Sequence, residues 1–450
     1  MIRLKAALAR LIGRLIRLTG RGGGTTLPGR LLLRLDPDAV SKLGSGLSGG
    51  STLISATNGK TTTASMLAVI LEGAGRHPVH NRSGSNMNWG VATALLEQQG
   101  DEGLFEVDEA WLAETAARLE PHTILLGNLF RDQLDRYGET ETLADAWIGL
   151  AGSLAGSTDF VLNADDPLVA DIGRSSGPGT TYFGIEDTGP AVDERQHASD
   201  AKNCRVCGSE LAYERTYVGH LGHYHCPSCG MRRPAPEVSA HDVTLDGMAG
   251  LTARIETPEG AVELTLPLPG LYNLYNALGA IATARVLGVA PADAVRSLAS
   301  MKAVFGRVER IQLGDTELSI LLVKNPAGAN EVLRTLALDP EPVDLWIGLN
   351  DRIADGRDVS WIWDADFEEL RDRVRSVVCT GTRGPEMALR LKYAGWPVDR
   401  VTVVDDLDRS LEIALDARPG RLFALPTYTS LLDLRRLLTE RYDADRYWKA

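Results

Sequence analysis

Ser51-Thr52-Leu53-Ile54-Ser55-Ala56-Thr57-Asn58-Gly59-Lys60-Thr61-Thr62-Thr63 is the stretch on which the fold turns. Ser51–Ala56 is a short β-type run that leads into a Gly-Lys turn, and Thr61–Leu71 reads as a helix with Leu67, Ile70 and Leu71 on its buried side. Strand, Gly-Lys turn and helix form the setting that a phosphate loop needs. The strict Walker pattern is not met, because Ile54 stands five positions before Gly59. Backbone N–H groups along Thr57, Asn58, Gly59, Thr61 and Thr62 can still hold phosphate oxygens at a helix N-terminus. Lys60 is expected to neutralise β/γ-phosphate charge, and the Thr61 hydroxyl to ligate Mg²⁺.

Outward from this loop, β-like runs at 123–126 and 159–162 alternate with a helical segment around 143–154, the mark of a helix-covered parallel sheet. A polar stretch at 186–203 opens a cysteine-bearing insert, and strand patterning resumes at 243–255 and 261–266 before an Ala/Leu-rich helix at 273–287. The character changes near residue 305. Five apolar runs follow, at 318–323, 343–349, 376–380, 401–404 and 422–425, separated by helical segments, which predicts a second doubly wound α/β unit.

Cys204, Cys207, Cys226 and Cys229 form two C-x2-C knuckles separated by eighteen residues, which is zinc-ribbon spacing. Four thiolates close the coordination sphere, so the Zn²⁺ is expected to be structural. His220, His223 and His225 then have no required role and read as exposed polar loop residues. The fifth cysteine, Cys379, lies in an apolar run and reads as core. Reduced, metal-bound thiols are cytoplasmic usage.

The net charge of −13 argues against generic nucleic-acid binding. The first 35 residues nevertheless carry eight basic residues and no acid, with Leu8, Leu11, Ile12, Leu15 and Ile16 at helical spacing. This segment reads as a leading helix packed on the next domain. The alternative is a helix lying peripherally on the inner face of the membrane.

The loop and further segments resemble the Mur ligase and folylpolyglutamate synthase superfamily. They are Thr57–Thr61 (TNGKT), Glu106 at a strand end, 128–136 (NLFRDQLDR), 162–167 (LNADDP), 270–277 (GLYNLYNA) and 306–309 (GRVE). The resemblance implies ATP as nucleotide, Mg²⁺ on Thr61 and Glu106, and nucleotide contacts from Asn273 and Arg307. Gln133 replaces the superfamily's metal-binding histidine, and no residue matches the carbamylated lysine that several members use. About fifty residues precede the loop, fewer than a UDP-binding domain needs, so a UDP-linked substrate is not expected.

The expected architecture is α/β: an N-terminal basic helix and lead-in (1–45), a Mur ligase-like ATP-binding middle domain with a central parallel sheet (46–304, zinc-ribbon insert about 201–233), and a C-terminal Rossmann-like domain (305–450). The ribbon, with the segments 323–328 (VKNPAG), 349–351 (LND), 355–364 (DGRDVSWIWD) and 425–429 (LPTYT), is similar to the ligase-subunit family of lipid II isoglutaminyl synthase. That similarity implies ATP-dependent amidation of the D-glutamate α-carboxyl in the lipid II stem peptide. It also implies a GatD-type glutaminase partner whose catalytic His is oriented by an aspartate of this chain: Asp355 first, with Asp358 and Asp351 behind it. Lys60, Glu106 and Asp355 are therefore the expected catalytic residues. On turn chemistry alone, Asp355 reads as a cap of its own Asp-Gly turn. A stand-alone amino-acid ligase is the alternative activity, and a nucleotide-gated nucleic-acid module the alternative class.

Overall fold

The computed structural model describes residues 2–18, 26–81, 85–131, 140–192, 200–301, 307–416 and 420–442. In chain order the first strands are β1 (Ser51–Ser55), β2 (Val79–His80), β3 (Gly103–Glu106), β4 (Thr123–Leu126), β5 (Asp159–Asn163) and β6 (Thr180–Ile185). A hairpin of β7 (Ala212–Val218) and β8 (Leu221–His225) follows, then β9 (Val238–Asp246), β10 (Gly250–Thr257) and β11 (Gly260–Leu266). Apart from the hairpin, these strands build one sheet in the order β2-β3-β1-β4-β5-β6-β9-β10-β11. Pairing is parallel from β2 to β9 and antiparallel from β9 to β11.

Helices cover both faces of the parallel part, which is why β1 and β4 are buried along their whole length. Successive residues of β1 supply opposite cores. Leu53 packs with Phe105, Ile124 and Trp147, and Ile54 with Leu67, Leu125 and Ile281. The helix Leu271–Val286 is buried almost all round, as its Ala/Leu-rich composition demands. β1 lies between β3 and β4, so the chain reverses its direction of travel there, and a crevice opens beyond the carboxyl ends of these strands. The phosphate loop occupies that place.

The second sheet comprises β12 (Arg307–Leu313), β13 (Thr316–Leu321), β14 (Val343–Gly348), β15 (Val374–Thr380), β16 (Val401–Val403) and β17 (Arg421–Pro426), in the order β12-β13-β17-β14-β15-β16. Only the β12–β13 pair is antiparallel. Cys379 is fully buried in β15, and burial pushes its thiol up to about 12, so it is core as expected. The leading helix Ile2–Leu18 buries Ala6 and Ala9 beside Leu32 and Leu96, and Lys5 reaches Asp36 at 3.2 Å. Leu8 and Leu11 remain about half exposed, at 48% and 55%. No helix among the described residues is long and apolar enough to cross a membrane.

Candidate functional site

The loop between β1 and the helix Lys60–Gly73 is fixed by the strand ends around it. Thr57 N–H donates to Asn128 O (2.9 Å), Phe130 N–H donates to Thr57 Oγ1 (3.0 Å), and Asn58 N–H donates to Asn128 Oδ1 (2.9 Å). Gly59 has φ 91°, and a Cβ there would lie 2.0 Å from Asn276 Oδ1, so both backbone and space require glycine. Lys60 is buried, with Nζ 2.6 Å from Glu109 Oε2. Glu106 is buried at the end of β3, beside Ile54 of β1. Its neighbourhood to the loop is legible in the sequence; the Glu109 contact is not.

Beside the loop a cleft opens between the two sheets' units, with Asn58, Gly59 and Thr62 on one side and Lys324, Gly328 and Glu331 on the other. The helix Pro326–Ala337 closes against the loop. Asn58 and Asn325 exchange side-chain hydrogen bonds (3.3 and 3.0 Å), and Lys324 Nζ donates to Thr57 O at 3.2 Å. Asn276 lines the cleft. Asn273 stands behind it, accepting from Asn276 Nδ2 at 3.1 Å and donating to Pro269 O at 2.7 Å. Thr61 is half-buried at the first turn of the phosphate-loop helix. Gln133, Phe305, Gly306 and the side chain of Arg307 lie outside the described residues.

The four cysteines converge, their ligand atoms lying within 4.8 Å of one another. Cys204–Cys229 and Cys207–Cys226 sulfur separations are 3.7 and 3.5 Å. A tetrahedron with Zn–S bonds of about 2.3 Å has edges of about 3.8 Å, so the set fits Zn²⁺. Both knuckles share one construction: Gly208 N–H donates to Cys204 O (2.8 Å), Gly230 N–H donates to Cys226 O (3.0 Å), and both glycines have φ near +76°. Hydrogen bonding from Ser209 lowers the Cys207 thiol to about 6, toward the thiolate a metal binds.

The expectation of exposed histidines is corrected here. His220 is fully buried at the tip of the β7–β8 hairpin, with Nε2 3.4 Å from Asp166 Oδ2 and its ring 4.6 Å from that of Phe130. Burial disfavours its charged form, but the carboxylates of Asp166, Asp200 and Glu141 together outweigh this and raise its pKa. His223 is half-buried, with Nε2 2.7 Å from Ile185 O, and His225 is half-buried in β8. The Asp165-Asp166 pair anchors the insert. Asp165 accepts from Arg233 Nε (2.5 Å), Tyr275 Oη (2.7 Å) and Ile185 N–H (2.9 Å). Asp166 caps the helix Pro167–Ile172 and accepts from Leu129 N–H at 2.8 Å. Val218 and Leu221 of the same hairpin line the cleft, and Arg334 Nη1 donates to Tyr217 O at 3.0 Å.

Along the carboxyl edge of the second sheet, Asp355 is buried. Its two carboxylate oxygens accept from Thr429 N–H (2.7 Å) and Thr429 Oγ1 (2.5 Å), just beyond β17. The carboxylate is thus not spent on its own turn, whereas Asp358 accepts from Ser360 N–H two residues on (2.8 Å). Asp351 is held by Thr382 Oγ1 and Arg383 Nε, both at 2.8 Å, and these hydrogen bonds lower its pKa. Ile353 and Tyr428 are exposed around this site, at 76% and 42%.

Residues 54–225 match the family described as Mur ligase middle domain, and residues 322–431 match MurT ligase C-terminal. The chain is 34% identical over 449 residues to the lipid II isoglutaminyl synthase (glutamine-hydrolyzing) subunit MurT of Streptococcus pneumoniae (strain ATCC BAA-255 / R6), covering 97% of this chain and 98% of that one. It is 32% identical over 444 residues to the subunit of the same name from Staphylococcus aureus (strain N315), covering 97% of each. Among solved structures, a pseudomurein peptide ligase type C from Methanothermus fervidus superposes with TM-score 0.70 at 22% identity, covering 89% of this chain and 80% of that one. MurF from Acinetobacter baumannii superposes with TM-score 0.67 at 18% identity, covering 93% and 81%. At these identities the structures show the shared fold.

Proposed function

The chain belongs to the MurT family of lipid II isoglutaminyl synthase subunits, ATP-dependent ligases of the Mur type, and from this premise we propose how its own residues divide the work. ATP occupies the cleft beside the phosphate loop. Lys60, released from Glu109, neutralises the terminal phosphates together with the loop amides. Thr61 and Glu106 would hold Mg²⁺, which would screen the phosphate charge during transfer. Asn276 and Asn273 support the nucleotide side of the cleft, and the family resemblance assigns a further nucleotide contact to Arg307.

The α-carboxylate of D-glutamate in the lipid II stem peptide attacks the γ-phosphorus, and ADP departs. Ammonia then attacks the acyl-phosphate carbon, phosphate leaves, a proton is lost, and D-isoglutamine results. Ammonium has no lone pair, so the nitrogen must arrive unprotonated. Among the described residues no Cys–His pair is placed to release it from glutamine, since the four knuckle cysteines face one another and Cys379 is sealed in core. A GatD-type glutaminase partner therefore supplies it, docking over Ile353 and Tyr428 and completing its triad with Asp355, which Thr429 already orients. The ribbon cysteines would hold a structural Zn²⁺, which their convergence fits. The leading helix, with Leu8 and Leu11 exposed, offers contact with the inner face of the membrane that carries the lipid substrate.

The observation that carries this reading is that one sheet edge serves two sites. Lys324 and Asn325 close on the phosphate loop, and Asp355 is presented further along the same edge. The test is ADP release from lipid II and ATP by the chain with and without its partner. Ammonia should support release in both cases, and glutamine only with the partner. Release that depends on added glutamate instead would replace this reading with an amino-acid ligase.

A further inference from the structure

We propose that Glu331 is a specificity-determining residue of the nucleotide cleft, accepting a hydrogen bond from the exocyclic amino group of adenine. The inference rests on the ATP reading above and extends it to a residue of the C-terminal unit.

Glu331 lies on the helix Pro326–Ala337 and lines the cleft, yet it is only 2% exposed. Its neighbours there include Val218, Leu221, Tyr272 and Val332, so this part of the cleft is a surface of carbon suited to a flat heterocycle. Other polar side chains lining the cleft are committed elsewhere. Asn128 exchanges both amide atoms with the Asn58 backbone, at 2.9 and 3.0 Å. Asn276 donates to Asn273 and accepts from Thr63 Oγ1 at 3.2 Å. Tyr275 donates to Asp165, and Lys324 to Thr57 O.

Glu331 Oε1 differs. It makes no hydrogen bond among the described residues, and Arg334 Nη1 stands 3.9 Å away, beyond bonding range. Arg334 is itself occupied with the carbonyls of Tyr217 and Pro190, at 3.0 and 2.5 Å. A buried acceptor without a donor is costly, and a ligand that supplies the donor recovers the loss. Beside a phosphate loop, the donor that a base offers on its rim is an exocyclic amino group. Adenine carries one at position 6. Hypoxanthine and guanine both have a carbonyl there, which would meet Oε1 as acceptor against acceptor. Their own donors, N1–H and in guanine the 2-amino group, sit at other points of the rim, so the selectivity expected here holds for a base that presents position 6 to Glu331.

The experiment is calorimetric titration of the full chain with ATP, ITP and GTP, for wild type, Glu331→Gln and Glu331→Met. Wild type should prefer ATP over ITP and GTP by tenfold or more. Glu331→Gln, which keeps an acceptor, should retain most of that preference, and Glu331→Met should lose it chiefly through weaker ATP binding. A wild-type ATP-to-ITP ratio near one overturns the inference without any variant. Equal weakening of all three nucleotides in Glu331→Met, or no change in their ratio, overturns it as well, because a purely structural carboxyl would act on the fold and not on the base. Failure of wild type to bind any of the three would instead sink the nucleotide reading itself.

Discussion

Glu109 Oε2 lies 2.6 Å from Lys60 Nζ, and both side chains are shielded from solvent, so the cation of the phosphate loop is already paired by the turn that follows β3. Nucleotide phosphates must compete with that carboxylate. Two roles for the lysine are therefore superimposed, and they can be separated. Lys60→Met should slow ATP-dependent turnover by about a hundredfold or more. It should also destabilise the chain by about 3 kcal/mol, because Glu109 is left buried and unpaired. Lys60→Met combined with Glu109→Leu should recover the stability and none of the turnover. Denaturant melts alongside steady-state rates would show it, and recovery of rate in the double variant would refute the catalytic role.

The grip of Thr429 on Asp355 gives a second expectation. Asp355→Asn should abolish glutamine-driven amidation by the complex and leave ammonia-driven amidation by the chain within about twofold. Thr429→Val, which removes the hydroxyl and keeps the backbone donor, should lower the glutamine-driven rate less. Ile353→Asp should weaken partner binding by about tenfold, as expected for an apolar contact in an interface core. Parallel loss of both activities in Asp355→Asn would show that the residue serves the ligase site instead.

The ribbon reaches the nucleotide cleft through Val218 and Leu221 and is pinned there by Asp165 and Asp166. Wild type should carry one zinc per chain by mass spectrometry, and Cys226→Ser should abolish it and lower the melting temperature. It should also weaken ATP binding several-fold, although no cysteine touches the cleft. Unchanged ATP affinity in the zinc-free chain would mean that the hairpin holds its position unaided.

Burial pushes the Glu331 carboxyl from 4.5 up to about 7, with Glu369 reinforcing the shift, and with Arg334 and the Tyr272 N–H opposing it. An acid whose pKa is raised on folding contributes stability in full below its unfolded value and loses it as pH rises through the folded value. Wild type should therefore lose on the order of 3 kcal/mol between about pH 4.5 and 7 that Glu331→Gln keeps. Urea melts at three pH values test this. Identical pH profiles for the two proteins would contradict it.

What the sequence made legible was local. Thr123–Leu126 is the strand read from its apolar run, and β1, the Gly-Lys turn and the phosphate-loop helix fall where periodicity and composition put them, each within two residues. The paired knuckles likewise carry their own geometry. The burial of His220 is not legible locally because its environment is tertiary: Asp166 and Phe130 lie far back in the chain, and a Gly-His-Leu-Gly turn looks like surface until they are packed on it. The role of Glu109 is hidden for the same reason, since nothing in Val107-Asp108-Glu109 announces a lysine 49 positions away. Glu331 reads as one more helix charge until the second unit closes over the cleft.

β17 is the last strand among the described residues, yet it lies between β13 and β14. During synthesis the earlier strands must wait with unsatisfied edges until Arg421–Pro426 leaves the ribosome and slots between them. A premature stop codon before that point would remove the keystone rather than the margin, and it would cost the cell both the grip on ATP and the seat of Asp355 at once.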